Sequence, residues 1–331
     1  MAVKPKVFVT RVIPDAGLSA IKAACDAEVW ADPLPPPYAV LRQKVAGCDG
    51  LVALLTDRID SALLEAAPRL RVVSNFAVGF NNIDVPAATA RGIAVGNTPG
   101  VLTDATADMA FCLLITAARR VVEGHQYTLA GRWKTWEPLG HLGQDLAGRT
   151  LGVVGMGRIG YALARRCFGG WGMRVLYHDV HKNEMAERDL QARQVDLDTL
   201  LRESDFVSVH TDLNEQTRGM FGAEQFRKMK RSAVFVNTAR GPLVDQKALA
   251  AALQSGTIFA AGLDVTDPEP PAMDDPLLKL PNLIVAPHIA SATVQTRNAM
   301  AEICAANLLA GLAGAPLPHW VNPEVAEKRR R

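Results

Sequence analysis

Ten short apolar runs rich in β-branched residues, separated by polar helical stretches, constrain this 331-residue chain more than any other feature. Four lie in the first hundred residues: KVFVT (6–10), GLVALLT (50–56), LRVVSN (70–75) and GIAVGN (92–97). Six more follow at 151–154, 174–178, 206–210, 233–237, 259–264 and 283–286. Near-continuous apolar runs of this kind are strands covered on both faces, and the helical stretches between them are crossovers. The pattern therefore predicts parallel sheets of the doubly wound α/β class. The length suggests roughly two domains of about 150 residues. DPLPPPY (32–38) is predicted as a loop, because consecutive prolines supply no helix or ladder donors.

Between the two series comes the turn NTPG (97–100) and then VLTDATADMAFCLLITAARR, with Thr103 as the predicted N-cap. Its apolar positions fill nearly every face, which suits a helix buried between layers. A looser segment with Trp133, Trp136 and Pro138 precedes the second series. Residues 291 to 313 form one long helical pattern without strands, too short for a domain, so it must pack on a unit already built.

Composition narrows the class. The net charge is +2 and 49% of residues are hydrophobic, as expected of a soluble globular chain without a nucleic-acid partner. The most apolar stretch, MAFCLLITAA (109–118), falls well short of the ~18 residues of a membrane span. The N-terminus passes directly into a strand pattern without a secretory leader, so a cytoplasmic location is expected. Five scattered cysteines without a C-x-x-C pair indicate neither a disulfide framework nor a zinc cluster. EKRRR (327–331), the one dense charge run, is predicted to be a solvated tail.

The run at 151 leads into GMGRIG, with Gly155, Gly157 and Gly160 between a strand and a helical stretch. Asp179 closes the next strand, nineteen residues past Gly160. A glycine at 155 permits the tight turn, one at 157 lets the backbone approach a pyrophosphate, and one at 160 lets helix and strand pack closely. Helix N-terminal amides hold the anion. The context predicts a dinucleotide site. A carboxylate at 179 accepts from both ribose hydroxyls and repels a 2′-phosphate, so NAD(H) is preferred, with NADP(H) possible because His178, His181 and Lys182 are near. His178 and His181 lack further ligands to complete a metal site, and none is predicted.

With KVFVTRVIP, NTPGVLTDATAD, GMGRIG, VFVNTARGPLVD, AAGLDVTDPEPP and APHIASAT in order along nearly its whole length, the chain resembles the D-isomer-specific 2-hydroxyacid dehydrogenases, and within them the glyoxylate and hydroxypyruvate reductases. The resemblance implies a catalytic Arg240, Glu269 and His288. Reduction of a 2-oxo acid needs a cation to fix the carboxylate, a hydride donor on one face of the carbonyl, and a proton for the developing alkoxide. Arg240 follows a strand into Gly241 and Pro242, where its planar fork can hold a carboxylate and polarise the carbonyl. Histidine suits His288 to give and take a proton, and Glu269 beside it would orient the ring. The pair also resembles the orienter and base of hydrolases, but no nucleophile motif accompanies it. By the same resemblance Val78 and Gly79 offer backbone N–H groups to the substrate carboxylate, and Asp264 binds the nicotinamide carboxamide. Thr106, Thr238 and Ala239 lie near the cofactor, and Arg158 and Ile159 cover its pyrophosphate.

Departures from relatives also inform. Val78 stands where phosphite dehydrogenases carry lysine, Asp212 where many relatives place proline, and Gly140 and His141 where some hydroxypyruvate reductases carry a large aromatic. At this length, the C-terminal regulatory domain found in relatives acting on 3-phosphoglycerate is not expected. A different reading is a dinucleotide-sensing interaction protein like the corepressors of this superfamily, or a member acting on another D-2-hydroxy acid. The expected architecture is a Rossmann NAD-binding domain (100–287) inserted into a discontinuous flavodoxin-like substrate domain (1–99, completed by 288–331). The chain then crosses twice beside a cleft, and a homodimer forms through residues near 100–148.

Overall fold

The computed structural model describes residues 3–330. Two compact units divide the chain: the described residues of Met1–Leu102 and Ala292–Arg331 form one, and Thr103–Ser291 the other.

The first unit is built on strands β1 (Lys6–Val9), β2 (Asp26–Val29), β3 (Gly50–Ala53), β4 (Val72–Asn75) and β5 (Ala94–Gly96). They pair in parallel in the order β2-β1-β3-β4-β5, the flavodoxin-like order. β3, β4 and β5 are buried throughout, as their continuous apolar runs demand. The sequence pattern did not reveal β2 (DAEV), because it lies at the sheet edge with alternate residues exposed. Helix Val294–Leu312 completes this unit against helix Asp15–Ala24 and the sheet. Its fit leaves no room for side chains at the crossings: a Cβ on Gly17 would meet the Ala301 carbonyl at 2.1 Å, and one on Gly311 would meet Val72 at 2.4 Å.

The second unit holds β6 (Thr150–Val154), β7 (Arg174–His178), β8 (Arg193–Gln194), β9 (Phe206–Val209), β10 (Val234–Asn237), β11 (Ala260–Leu263) and β12 (Leu283–Val285). The order is β12-β11-β10-β9-β6-β7-β8, all parallel. Numbered within the unit, this is the 3-2-1-4-5-6 order of Rossmann sheets with one strand added. β8, two exposed residues at the edge, also lacks an apolar run to announce it. Helix Thr103–Ala118 packs between β11 and helix Arg158–Trp171, which accounts for its apolar faces. Thr103 is its first helical residue rather than its cap.

Two sequence expectations are corrected. The divisions fall at 102/103 and 291/292 rather than at 99/100 and 287/288. His288 stays with the second unit because its backbone N–H donates to Asp264 O at 2.9 Å, and the next two amides donate to the Asp264 carboxylate. Nor are Arg329 and Arg330 of the basic run solvated, although Glu327 and Lys328 are exposed. Arg329 donates to the Gly311 and Ala315 carbonyls at 2.9 and 2.6 Å and lies over the Trp320 ring. Arg330 donates to the carbonyls of Ala67, Pro68 and Leu70 at 3.0–3.2 Å. Carbonyls left over where elements end are good acceptors for guanidinium groups, so charge density alone misread these residues. Arg331 lies outside the described residues. Among the described residues no helix is long and apolar enough to cross a membrane.

Candidate active site

In an open doubly wound sheet, ligands bind beyond the carboxyl ends of the strands where the order reverses, here between β6 and β9. Gly155 follows β6 with φ +95°, which a side chain rarely adopts, and a Cβ there would come within 2.6 Å of the Thr211 backbone in the loop after β9. Gly160 is also closed to side chains, with the Gly155 carbonyl 2.2 Å from its missing Cβ. Gly157 differs, because a Cβ there would meet nothing within 4 Å. No protein atom requires glycine at 157, and the vacant space beside the helix start fits close approach of a ligand.

Gly157 caps helix Arg158–Trp171 without a side chain, so the first-turn amides, Arg158 and Ile159 among them, keep their donors for an anion. Asp179, just past β7, accepts from Met156 N at 2.8 Å and from His181 N at 2.9 Å, one bond to each oxygen. The acid is thereby held against the glycine loop. Thr238 Oγ1, beyond β10, is buried and has no hydrogen-bond partner among the described residues. Thr106 is buried on helix Thr103–Ala118. An anion-ready helix start, a fixed carboxylate and an orphaned hydroxyl at the strand ends fit a dinucleotide.

The reactive side chains of the second unit gather past β10, β11 and β12. Arg240 has an extended backbone, φ −145°, immediately before Gly241, where Cβ space is closed by the Thr266 carbonyl at 1.9 Å. The Asn237 amide spans the turn, donating to Arg240 O and accepting from Ala239 N, each at 2.9 Å. Burial pushes the Arg240 pKa down, opposed by the charges of Glu269 and Asp212. A desolvated cation has the stronger pull on an incoming anion.

His288 Nδ1 lies 2.7 Å from Glu269 Oε1, although nineteen residues separate them. His288 also has φ +53°, a left-handed conformation that costs about 1–3 kcal/mol outside glycine. Asp264 supplies the compensation: its carbonyl accepts from His288 N, and its carboxylate oxygens accept from Ile289 N and Ala290 N, both at 2.8 Å. Burial raises the Asp264 pKa, and the two amides work against that rise. The structure thus gives Asp264 a task its sequence position did not reveal, that of pinning the histidine turn.

Val78 and Gly79 belong to the first unit, just past β4. The Val78 carbonyl accepts from Asn97 Nδ2 at 2.7 Å, and that of Gly79 from Asn75 Nδ2 at 2.9 Å.

The sequence did not single out His210, which follows β9 and pairs through Nε2 with Ser208 Oγ at 2.9 Å. Crowding by protein pushes its pKa down to about 4. Between the ordinary 6.5 and 4, the unfolded chain takes up a proton that the folded chain refuses. This contribution to stability is complete above pH 6.5 and is lost as the pH falls toward 4. His210→Gln is expected to flatten the fall in Tm over that window, and slopes identical to the parent's would show that His210 is not the group responsible.

These features define a dinucleotide-binding α/β oxidoreductase. Residues 111–290 match the family described as D-isomer specific 2-hydroxyacid dehydrogenase, NAD binding domain. A glyoxylate reductase of Korarchaeum cryptofilum is 55% identical over 327 residues, covering 98% of each chain. The crystal structure of the TT0316 protein from Thermus thermophilus superposes with a TM-score of 0.89 at 46% identity, covering 96% of this chain and 99% of that one. An NADPH-dependent glyoxylate/hydroxypyruvate reductase of Sinorhizobium meliloti, solved with NADP and malonate, gives 0.85 at 32% identity over 99% of both chains. The chain belongs to the D-isomer-specific 2-hydroxyacid dehydrogenase family. It is an oxidoreductase of small 2-hydroxy and 2-oxo acids that uses a nicotinamide dinucleotide.

Proposed function

We propose that this enzyme reduces glyoxylate to glycolate and hydroxypyruvate to D-glycerate, with NADH preferred over NADPH and His288 as the acid/base. The 2.7 Å contact of Glu269 with His288 Nδ1 carries the reading, because it leaves Nε2 as the ring atom that hands a proton to the substrate oxygen. Glu269 orients the ring. Arg240 takes the substrate carboxylate and polarises the carbonyl, and the amides of Val78 and Gly79 are carboxylate donors. The dinucleotide, when bound, supplies the hydride. Gly155, Gly157 and Gly160 with the Arg158 and Ile159 amides hold its pyrophosphate, Asp179 its ribose, and Thr106, Thr238, Ala239 and Asp264 its nicotinamide end. The family relatives, glyoxylate reductases among them, support the substrate class.

Following NADH loss over a panel of 2-oxo acids tests the activity. Glyoxylate and hydroxypyruvate are expected to lead, and absence of turnover with every acid refutes the reading. NADH should exceed NADPH in kcat/KM by about tenfold or more, since the carboxylate of Asp179, held against the glycine loop, would repel a 2′-phosphate on the ribose it binds. Asp179→Ser should narrow the gap, and equal efficiency of the parent with both cofactors rejects this preference. The same reading includes a homodimer through residues 100–148, where Trp133, Trp136 and Leu139 are exposed.

A further inference from the structure

Three consecutive carbonyls after β4 are each held from within the first unit. Ala77 O accepts from Thr98 N at 2.9 Å, Val78 O from Asn97 Nδ2 at 2.7 Å, and Gly79 O from Asn75 Nδ2 at 2.9 Å. A trans peptide is planar, with its C=O and N–H pointing in opposite directions. Fixing these carbonyls therefore fixes where the N–H groups of Val78, Gly79 and Phe80 aim, each away from the donor that holds its own peptide. The middle plane, like the one after it, is set by a side chain. Without Asn97, the Val78–Gly79 peptide would keep its neighbours but lose the bond that defines its own orientation.

We infer that Asn97 is a positioning residue for substrate binding: its side-chain amide locks the Val78–Gly79 peptide so that the Gly79 N–H is presented to the carboxylate of a 2-oxo acid. This rests on the reading of the Val78 and Gly79 amides as carboxylate donors. Asn97 is well built for the task. Its backbone N–H donates to His319 O at 3.3 Å, and its carbonyl accepts from Asn307 Nδ2 at 2.8 Å. Asn307 is fully buried on helix Val294–Leu312, and Asn307 Oδ1 also accepts from His319 N at 2.9 Å. The long C-terminal helix thereby anchors the residue that orients the amide. Because main-chain bonds hold position 97, changing its side chain removes the donor and leaves the backbone in place.

Asn97→Ala and Asn97→Leu in the full-length enzyme test the inference, the leucine filling the volume without restoring a donor. Both are expected to raise KM for glyoxylate and the Kd for oxamate, a 2-oxo acid analogue resistant to reduction, by about tenfold. Carboxylate binding is shared by ground and transition states, so kcat should stay within about twofold. KM for NADH and Tm should match the parent. A glyoxylate KM unchanged in both variants, or restored by leucine, overturns the positioning role. So does a loss that falls equally on NADH binding and Tm, which marks a merely structural residue. Failure of the parent to turn over any 2-oxo acid overturns the underlying reading, and this inference with it, and is recognised in the parent alone.

Discussion

Replacing His288 with alanine is expected to lower kcat/KM for 2-oxo acid reduction by about 10²- to 10⁴-fold, the range spanned by a positioned proton donor. Hydride arrival at the carbonyl carbon builds negative charge on oxygen, and without the imidazole that charge awaits a proton from water. Glu269→Gln should lose less, because the ring keeps a partner at Nδ1 but no longer a charged one. The alanine variant should fold, since the turn at 288–290 is pinned by main-chain donors on Asp264, not by the imidazole. It also relieves nothing at the backbone, for alanine is no better suited than histidine to φ +53°. Steady-state rates alongside Tm and fluorescence titration with NADH check the set. Near-normal turnover with intact cofactor binding would remove His288 from the chemistry.

Arg240→Lys is expected to lower kcat/KM by about 10²- to 10³-fold, the loss seen when an electrostatic contact to a developing oxyanion is removed. Lysine keeps the charge but not the fork, so it cannot hold a carboxylate in two parallel bonds while polarising the adjacent carbonyl. Stability should not follow activity. Burial depresses the guanidinium pKa, and a lysine ammonium in its place bears a desolvation penalty too, so the exchange retains that cost and does not remove a stabilising charge from the fold. A variant that is slow yet melts no earlier than the parent is the expected signature. Parallel loss of Tm and rate would instead place Arg240 in the framework of the fold.

Much of the fold was legible because its strands are covered on both faces. VFVN (234–237) and TLGVV (150–154) are buried at every position, so no polar alternation obscures them. β2 and β8 escaped because edge strands need no such run, and the arginines at 329 and 330 because charge density does not show which carbonyls lie within reach. The glycine loop could be read because two of its glycines answer a local constraint, of conformation at 155 and of packing at 160. The pinning of the 288–290 turn by Asp264 could not, since nothing in LDVTD shows that its carboxylate meets the amides of residues 289 and 290. The grip of Asn97 on Val78 is of the same kind.

By itself the sequence determined the parallel α/β class, the dinucleotide loop and the family, because these depend on periodicity and on motifs short enough to be local. The resemblance already implied that Glu269 lies beside His288, and only the tertiary structure decided the other meetings: Asp264 with the turn it holds, and Asn97 with the peptide it orients. Hydrogen bonds of under 3 Å between residues 19 or 25 positions apart are set by where separate strands end, and strand ends are placed by the packing of the whole sheet.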